Sequence, residues 1–243
     1  VTPYSVSERI TSPDMVYLDW NESSYMSDLV VSNLQNKLTQ LNQYPDPNNT
    51  LLKEQLSLYT KVDSEFIEAF NGSDSALDYT FRTLLNSKDR VLVPYPNYTQ
   101  INQTIQSLGA YITFCDITSL EESIESRKPQ MVYLSNPNNP TGYVYDIKSL
   151  VKKYSSIYFI IDEAYYEFYT DSSVFNLAYK LSNLIVTRTF SKGLGLAGVR
   201  LGYLTTNSYI INKIKTIKNF KEVSRIAEAA GIIALQNIEH IQK

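Results

Sequence analysis

The sequence predicts an α/β fold: a mostly parallel seven-stranded sheet sandwiched by helices. Three observations predict it. Short, nearly continuous apolar runs recur seven times, as strands buried on both faces should. Most of the segments between them carry apolar residues at helical spacing. Five of the runs end in polar or Gly/Pro-rich segments, in phase, where an open parallel sheet would present a ligand crevice at its carboxyl ends.

Composition sets the outer limits. The chain of 243 residues is long enough for one large domain, or for one domain and part of a second. Its 43% hydrophobic and 19% charged residues are those of an ordinary globular protein. A net charge of -3 and the absence of long basic runs give no case for a nucleic-acid partner. No apolar stretch approaches membrane-spanning length, and the N-terminal residues lack a secretion-signal profile, so the expected location is cytoplasmic. One cysteine, Cys115, and one histidine, His240, leave no disulfide framework and no Cys/His metal cluster.

Taken in order, a short apolar run at Val16–Leu18 precedes Asn21-Glu22-Ser23, and Leu29, Val30, Leu34, Leu38 and Leu41 then keep helical spacing. Pro45 and Pro47 in Tyr44-Pro45-Asp46-Pro47 break that helix. A second helix is expected from about Thr50, with Leu51, Leu52 and Leu56 on one face. The expected strands are residues 66–70, 91–93, 111–114, 131–134, 158–161, 184–186 and 199–205. Between them, Ala76, Leu77, Phe81, Leu84 and Leu85 mark one helix, and Ile101, Ile105 and Leu108 another that Gly109 should stop. Ser119 with Glu122 reads as a capping box before Ile124. Two further helical patterns follow, through Ile210, Ile214 and Ile217 and through Val223 to Leu235.

The chemistry-bearing residues gather after the strands. Asn71-Gly72-Ser73-Asp74 opens a helix. It could be an ordinary N-cap, or an anion site using free N–H groups and the positive end of the helix dipole. Pro94-Tyr95-Pro96 follows the second strand. In a chain with 20 tyrosines Tyr95 could be a core aromatic, yet its place suits a ring stacked on a planar ligand. The turn Asn136-Pro137-Asn138-Asn139-Pro140-Thr141-Gly142 is rigid, and Asn139 could hold a phenolic oxygen. Asp162 ends an apolar strand. A carboxylate there costs several kcal/mol unless paired, so it is either a structural acceptor or the partner of a cationic ring nitrogen. Glu163, next to it, should face the other side and be structural.

After the sixth strand comes Thr187-Arg188-Thr189-Phe190-Ser191-Lys192-Gly193-Leu194-Gly195, with Arg200 eight residues past the lysine. Hydroxyls beside an arginine suit a phosphate. Lys192 could bind that phosphate or, with its pKa lowered by burial and nearby positive charge, act as an imine-forming amine. The literal Gly193-x-Gly195-x-x-Gly198 is not a dinucleotide fingerprint. The residues after it read as a strand rather than a helix, and no acidic residue stands near the expected ribose position.

Together, Asn139-Pro140-Thr141-Gly142, Asp162-x-Ala164-Tyr165 and Ser191-Lys192 with Arg200 resemble the signature of fold-type-I pyridoxal-phosphate aminotransferases. Asn21-Glu22, Tyr44-Pro45-Asp46-Pro47, Asn71-Gly72-Ser73-Asp74 and the segment from Phe190 to Tyr203 resemble the histidinol-phosphate aminotransferase branch. The resemblance covers nearly the whole chain. It implies pyridoxal 5′-phosphate as cofactor. Lys192 would be joined to it as an imine and would then move the proton between the substrate α-carbon and C4′. Asp162 would pair with the ring nitrogen, Tyr165 and Asn139 with the phenolic oxygen, and Tyr95 would stack on the ring. The backbone at Ser73 and Asp74, with Thr189, Ser191 and Arg200, would hold the phosphate, with Tyr44 reaching the neighbouring subunit's phosphate in a homodimer.

The implied partners are a small amino donor, either an amino acid or an amino-alcohol phosphate, and a 2-oxo acid. Two alternatives stay open: decarboxylation of a phosphorylated amino acid, and a non-catalytic cofactor-binding role. By the same resemblance residues 1–45 would form an N-terminal arm and 46–220 the large cofactor-binding domain. Residues 221–243 would begin an incomplete small domain that ends before the family's substrate-binding arginine.

Overall fold

The computed structural model describes residues 16–25 and 27–241, so the first fifteen residues of the expected arm and the last two of the expected C-terminal segment lie outside it. Helix α1 (Asp28–Gln35) and helix α2 (Thr50–Thr60) come first; α1 stops at Gln35, before the prolines expected to break it, and Leu38–Gln40 form only a 3-10 turn. Asp46, between the prolines, starts α2: its Oδ2 accepts the Thr50 N–H at 2.8 Å and its Oδ1 that of Asn48 at 3.0 Å.

Strand and helix then alternate. Strand β1 (Ile67–Phe70) leads into α3 (Gly72–Leu84), β2 (Arg90–Pro94) into α4 (Ile101–Ser107), and β3 (Tyr111–Cys115) into α5 (Leu120–Arg127). β4 (Met131–Ser135) precedes α6 (Lys148–Lys153), and β5 (Tyr158–Asp162) precedes α7 (Phe175–Ala178). The glycine-rich stretch joins β6 (Leu184–Thr189) to β7 (Gly202–Thr205). Helices α8 (Ser208–Ile217), α9 (Arg225–Gln236) and α10 (Ile238–Ile241) follow.

The seven strands form one sheet in the order β1-β7-β6-β5-β4-β2-β3, parallel except for β7, which runs antiparallel to both of its neighbours. The predicted sandwich is therefore the observed one. Strand alternation divides the core into two layers. Val132, Leu134, Phe159, Ile161, Leu184 and Val186 pack with α2, α7 and α9 on one face. Met131, Tyr133, Ile160 and Ile185 pack with α3, α4 and α8 on the other. That parity places the site: Asp162, in register with Thr187 and Ser135 at the strand ends, shares the face of Ile160 and Tyr133, next to α3.

Two local expectations are corrected. The last strand does not begin at Val199. Residues Ala197–Val199 make a 3-10 turn and Arg200 sits in the left-handed region at φ 55°, so pairing with β6 starts only at Gly202. Ser119 does not cap α5. Its hydroxyl donates back to the Asp116 carbonyl at 3.0 Å, and Asp116 itself caps the preceding 3-10 turn by accepting the Thr118 N–H at 2.8 Å. Gly109 ends the turn after α4 at φ 73°, as expected.

Candidate active site

The carboxyl ends of β1, β4, β5 and β6 surround one group of polar residues, with the glycine-rich stretch and the N-terminus of α3 on one side. Gly72 takes φ 83° to begin α3, and a Cβ there would stand 2.6 Å from an Arg200 guanidinium nitrogen. A Cβ on Gly202 would collide with the Ser73 backbone nitrogen. Two glycines therefore let α3, β7 and Arg200 close into a tight corner. Within it the Ser191 N–H donates to Thr189 Oγ1 at 3.1 Å, and the Thr189 hydroxyl donates to Ser191 Oγ at 3.0 Å. Arg200 donates to Ser191 Oγ at 3.3 Å and pairs with Asp74 at 3.4 Å. Ser73, Asp74, Thr189, Ser191 and Arg200, expected together, are thus neighbours. Free N–H groups at a helix start, two hydroxyls and a guanidinium make this corner an anion cradle.

Asp162 lies deeper, 4% exposed. Its Oδ2 accepts the Tyr133 hydroxyl and its Oδ1 the Thr187 hydroxyl, both at 3.1 Å. Burial, and then the nearby negative charge of Asp74, raise its pKa to about 6 against these hydrogen bonds. Among the described residues no cationic side chain forms an ion pair with it. A buried carboxylate held by neutral donors alone suits a cationic ring nitrogen.

Lys192 approaches the same group of residues, close enough for the charges of Asp74, Arg200 and Asp162 to act on it. Its ammonium donates to the carbonyls of Trp20 at 2.5 Å and Asn21 at 3.3 Å, and lies 5.8 Å from the centre of the Tyr165 ring. Burial lowers its pKa and Arg200 lowers it further, while Glu22, Asp74 and Asp162 oppose the shift. The Tyr165 hydroxyl accepts the Asn21 amide at 2.9 Å, and burial raises its pKa. Asn139 is held through its backbone, whose N–H donates to Ser135 Oγ at 3.1 Å. Asn21, Asn138, Asn139, Tyr165 and Phe168 line a cleft of about 360 Å³. A group carrying a carbonyl, a phenolic oxygen, a basic ring nitrogen and a phosphate fits this donor set.

Two expected residues stand apart. Tyr95 is 63% exposed: its N–H donates to the Cys115 carbonyl at 2.9 Å, extending the β2–β3 ladder, and its ring meets Phe114 edge-on at 6.1 Å. That backbone bond carries it to the sheet edge, and no hydrogen bond or ring contact links it to Asp162 or Lys192. Tyr98, which sequence reasoning passed over, lies inward, and its hydroxyl donates to Asp74 Oδ1 at 2.9 Å. The signal was available in the spacing, since Tyr98 comes after the turn at Pro96 that leads back toward α4. Tyr44 is 74% exposed and contacts Lys221, whose ammonium lies 3.6 Å from the ring centre, rather than this chain's own phosphate corner.

Comparison with known proteins gives concordant results. Residues 13–243 match the family described as Aminotransferase class I and II. The chain is 36% identical to a dihydroxyacetone phosphate transaminase of Campylobacter jejuni, covering all of this chain and 71% of that protein. It is 30% identical to a histidinol-phosphate aminotransferase of Methanococcus aeolicus, covering 97% of this chain and 67% of that one. The structure superposes with a TM-score of 0.85 on histidinol-phosphate aminotransferase from Sinorhizobium meliloti in complex with pyridoxal-5′-phosphate, at 25% identity over 91% of this chain and 64% of that chain. A threonine-phosphate decarboxylase from Porphyromonas gingivalis shares the fold, with a TM-score of 0.82 at 22% identity. The chain therefore spans about two thirds of the length of the proteins it matches.

Proposed function

Since the chain belongs to the class I and II aminotransferase family, with pyridoxal 5′-phosphate as cofactor, we propose that it moves an amino group between a small amino donor and a 2-oxo acid. The observation that carries this is the proximity of Lys192 to Asp162 and to Asp74 and Arg200 of the anion corner, all close enough for their charges to act on its amine. The two relatives named above act, by their names, on phosphate esters, one an amine and the other a ketone, which favours a phosphorylated compound on one side of the exchange.

When bound, pyridoxal phosphate supplies a carbonyl that condenses with amines and a ring that accepts the electron pair released at the substrate α-carbon. The chain's residues do the rest. Partial burial raises the neutral fraction of Lys192, so the amine can bind the carbonyl and later accept and return the α-proton. Asp162 pairs with the ring nitrogen and keeps it protonated. Tyr165 and Asn139 hold the phenolic oxygen. The backbone N–H groups of Ser73 and Asp74, with Thr189, Ser191 and Arg200, would hold the phosphate. Tyr98 replaces Tyr95 as the aromatic neighbour of the ring, because its hydroxyl is already anchored at Asp74.

A cytoplasmic homodimer belongs to the same proposal. The exposed Tyr44 is free to serve the neighbouring subunit's phosphate corner, and Cys115 is an unpaired thiol, as expected in a reducing compartment. Among the described residues no helix is long and apolar enough to cross a membrane. In this arrangement residues 46–220 form the cofactor domain, and Ala227, Ile233 and Ala234 of α9 pack into the core on its sheet.

Arg200→Ala removes the one guanidinium of the phosphate corner. Charge-assisted hydrogen bonds contribute about 1.5–3 kcal/mol, so cofactor affinity falls roughly 10- to 100-fold in an absorbance titration. Product analysis tests the reaction itself. Incubation of the chain with cofactor, amino donor and 2-oxo acid yields a new amino acid without carbon dioxide. Carbon dioxide release without keto-acid consumption would assign decarboxylation instead.

A further inference from the structure

On the sheet face opposite Asp162, behind the Lys192 turn, lies a buried polar cluster that the proposed chemistry does not use. Part of it is fully partnered. Arg188 Nε donates to Glu163 Oε2 at 2.9 Å, Ser173 bridges the two side chains, and the Val174 N–H donates to Glu163 Oε1 at 2.7 Å. The guanidinium sits 3.3 Å from the centre of the Tyr166 ring and 4.1 Å from that of Phe175. Such an arrangement explains itself as structure.

Glu167 does not. Its Oε2 is sealed from solvent and has no hydrogen-bond partner, and its Oε1 has only a long contact with the Tyr59 hydroxyl, at 3.5 Å. A Cβ built on Gly193 would stand 2.9 Å from that Oε2 and would collide with the Glu167 Cβ. The carboxyl therefore lies against the backbone of the residue that follows Lys192. Glycine at 193 is what lets it do so.

Resting on the assignment of Lys192 above, we propose that Glu167 is a positioning residue for Lys192: its neutral carboxyl is the floor of the Lys192–Gly193 turn, and loss of its proton displaces that turn. The groups that face it come from every surrounding element. Tyr59 on α2 and Arg188 on β6 favour its charged form, whereas Glu163 at the end of β5 disfavours it, and the Tyr203 phenol of β7 lies in the same cluster. Its own backbone N–H also favours the anion; burial outweighs these three favourable groups and raises its pKa to about 7. Glu167 therefore titrates much nearer to neutral pH than an ordinary carboxyl does. When the proton leaves, an oxygen without a donor becomes a buried anion beneath Gly193, a state that the turn relieves by moving.

Trace labelling of the cofactor-free chain with acetic anhydride tests this without relying on activity. The reactivity of Lys192, followed by mass spectrometry from pH 5.5 to 9, should show an inflection near 7 separate from the titration of the amine itself. Glu167→Gln, which mimics the neutral acid, should abolish that inflection while Lys192 still reacts. Tyr59→Phe removes a hydrogen bond that favours the anion, and should move the inflection to higher pH. An unchanged profile in Glu167→Gln overturns the proposal. Should that variant not fold, an unmoved inflection in Tyr59→Phe overturns it equally. Failure of the functional assignment would look different: wild-type protein would acquire no borohydride-stable cofactor on Lys192, whatever the labelling profile.

Discussion

Replacing Lys192 with alanine abolishes amino transfer. Among the described residues Lys192 is the one lysine beside both the anion corner and Asp162, and its proposed role is double: it would bind the cofactor's carbonyl and move the α-proton. A positioned acid–base group contributes typically about 10²–10⁴-fold to the rate, so a loss of at least about 10²-fold in the half-reaction with an amino donor is expected on that ground alone. Lys192→Arg gives no rescue, because a guanidinium stays protonated and cannot condense with a carbonyl. Rapid-mixing absorbance on the reconstituted chain measures it. A Lys192→Ala protein within tenfold of wild type would move the chemistry to another amine.

The second large effect is at Asp162. Its carboxylate is buried beneath two hydroxyl donors, and a ring cation is the counter-charge it lacks among the described residues. Breaking a buried ion pair by removing one partner costs about 3–5 kcal/mol. At 1.36 kcal/mol per tenfold, Asp162→Asn should slow α-proton removal roughly 10²- to 10⁴-fold, with normal binding at the phosphate corner. The same group makes the cofactor-free chain sensitive to pH. The folded pKa of about 6 lies above the ordinary 3.8, so the unfolded chain releases this proton first as pH rises. Asp162 therefore costs no stability below pH 3.8, and its penalty grows through the window up to about 6 and is complete above it. The difference is worth about 3 kcal/mol. Asp162→Asn should flatten that part of the unfolding profile. Cofactor should do so too, by supplying a cation that holds the carboxylate ionised.

Much of this was legible in the sequence because the informative residues sit at strand ends, where alternation fixes their side. Asp162 and Glu163 are the clearest case. Adjacent carboxylates on one strand must point to opposite faces, and they do, one toward α3 and the other into the Arg188 pair. Ser73, Thr189, Ser191 and Arg200 follow the same logic, each leaving a strand or entering a helix at the same edge of the sheet. Tyr95 was misplaced because it lies just past the regular strand. There its direction depends on a backbone bond to Cys115 in a strand that is distant in sequence. The start of β7 was hidden for a related reason: Arg200 takes a left-handed conformation that its residue type does not announce. Glu167 was out of reach altogether. Its partners Tyr59, Arg188 and Gly193 belong to three separate segments, and only the folded chain shows that a glycine beside the lysine makes room for it.

The most direct measurement is borohydride reduction of the chain incubated with pyridoxal phosphate, followed by proteolysis and peptide mapping. A single modified peptide, carrying the cofactor on Lys192, is predicted, and Lys192→Ala should yield none. A stable adduct on a different lysine, or no adduct with the cofactor at saturating concentration, would contradict the assignment.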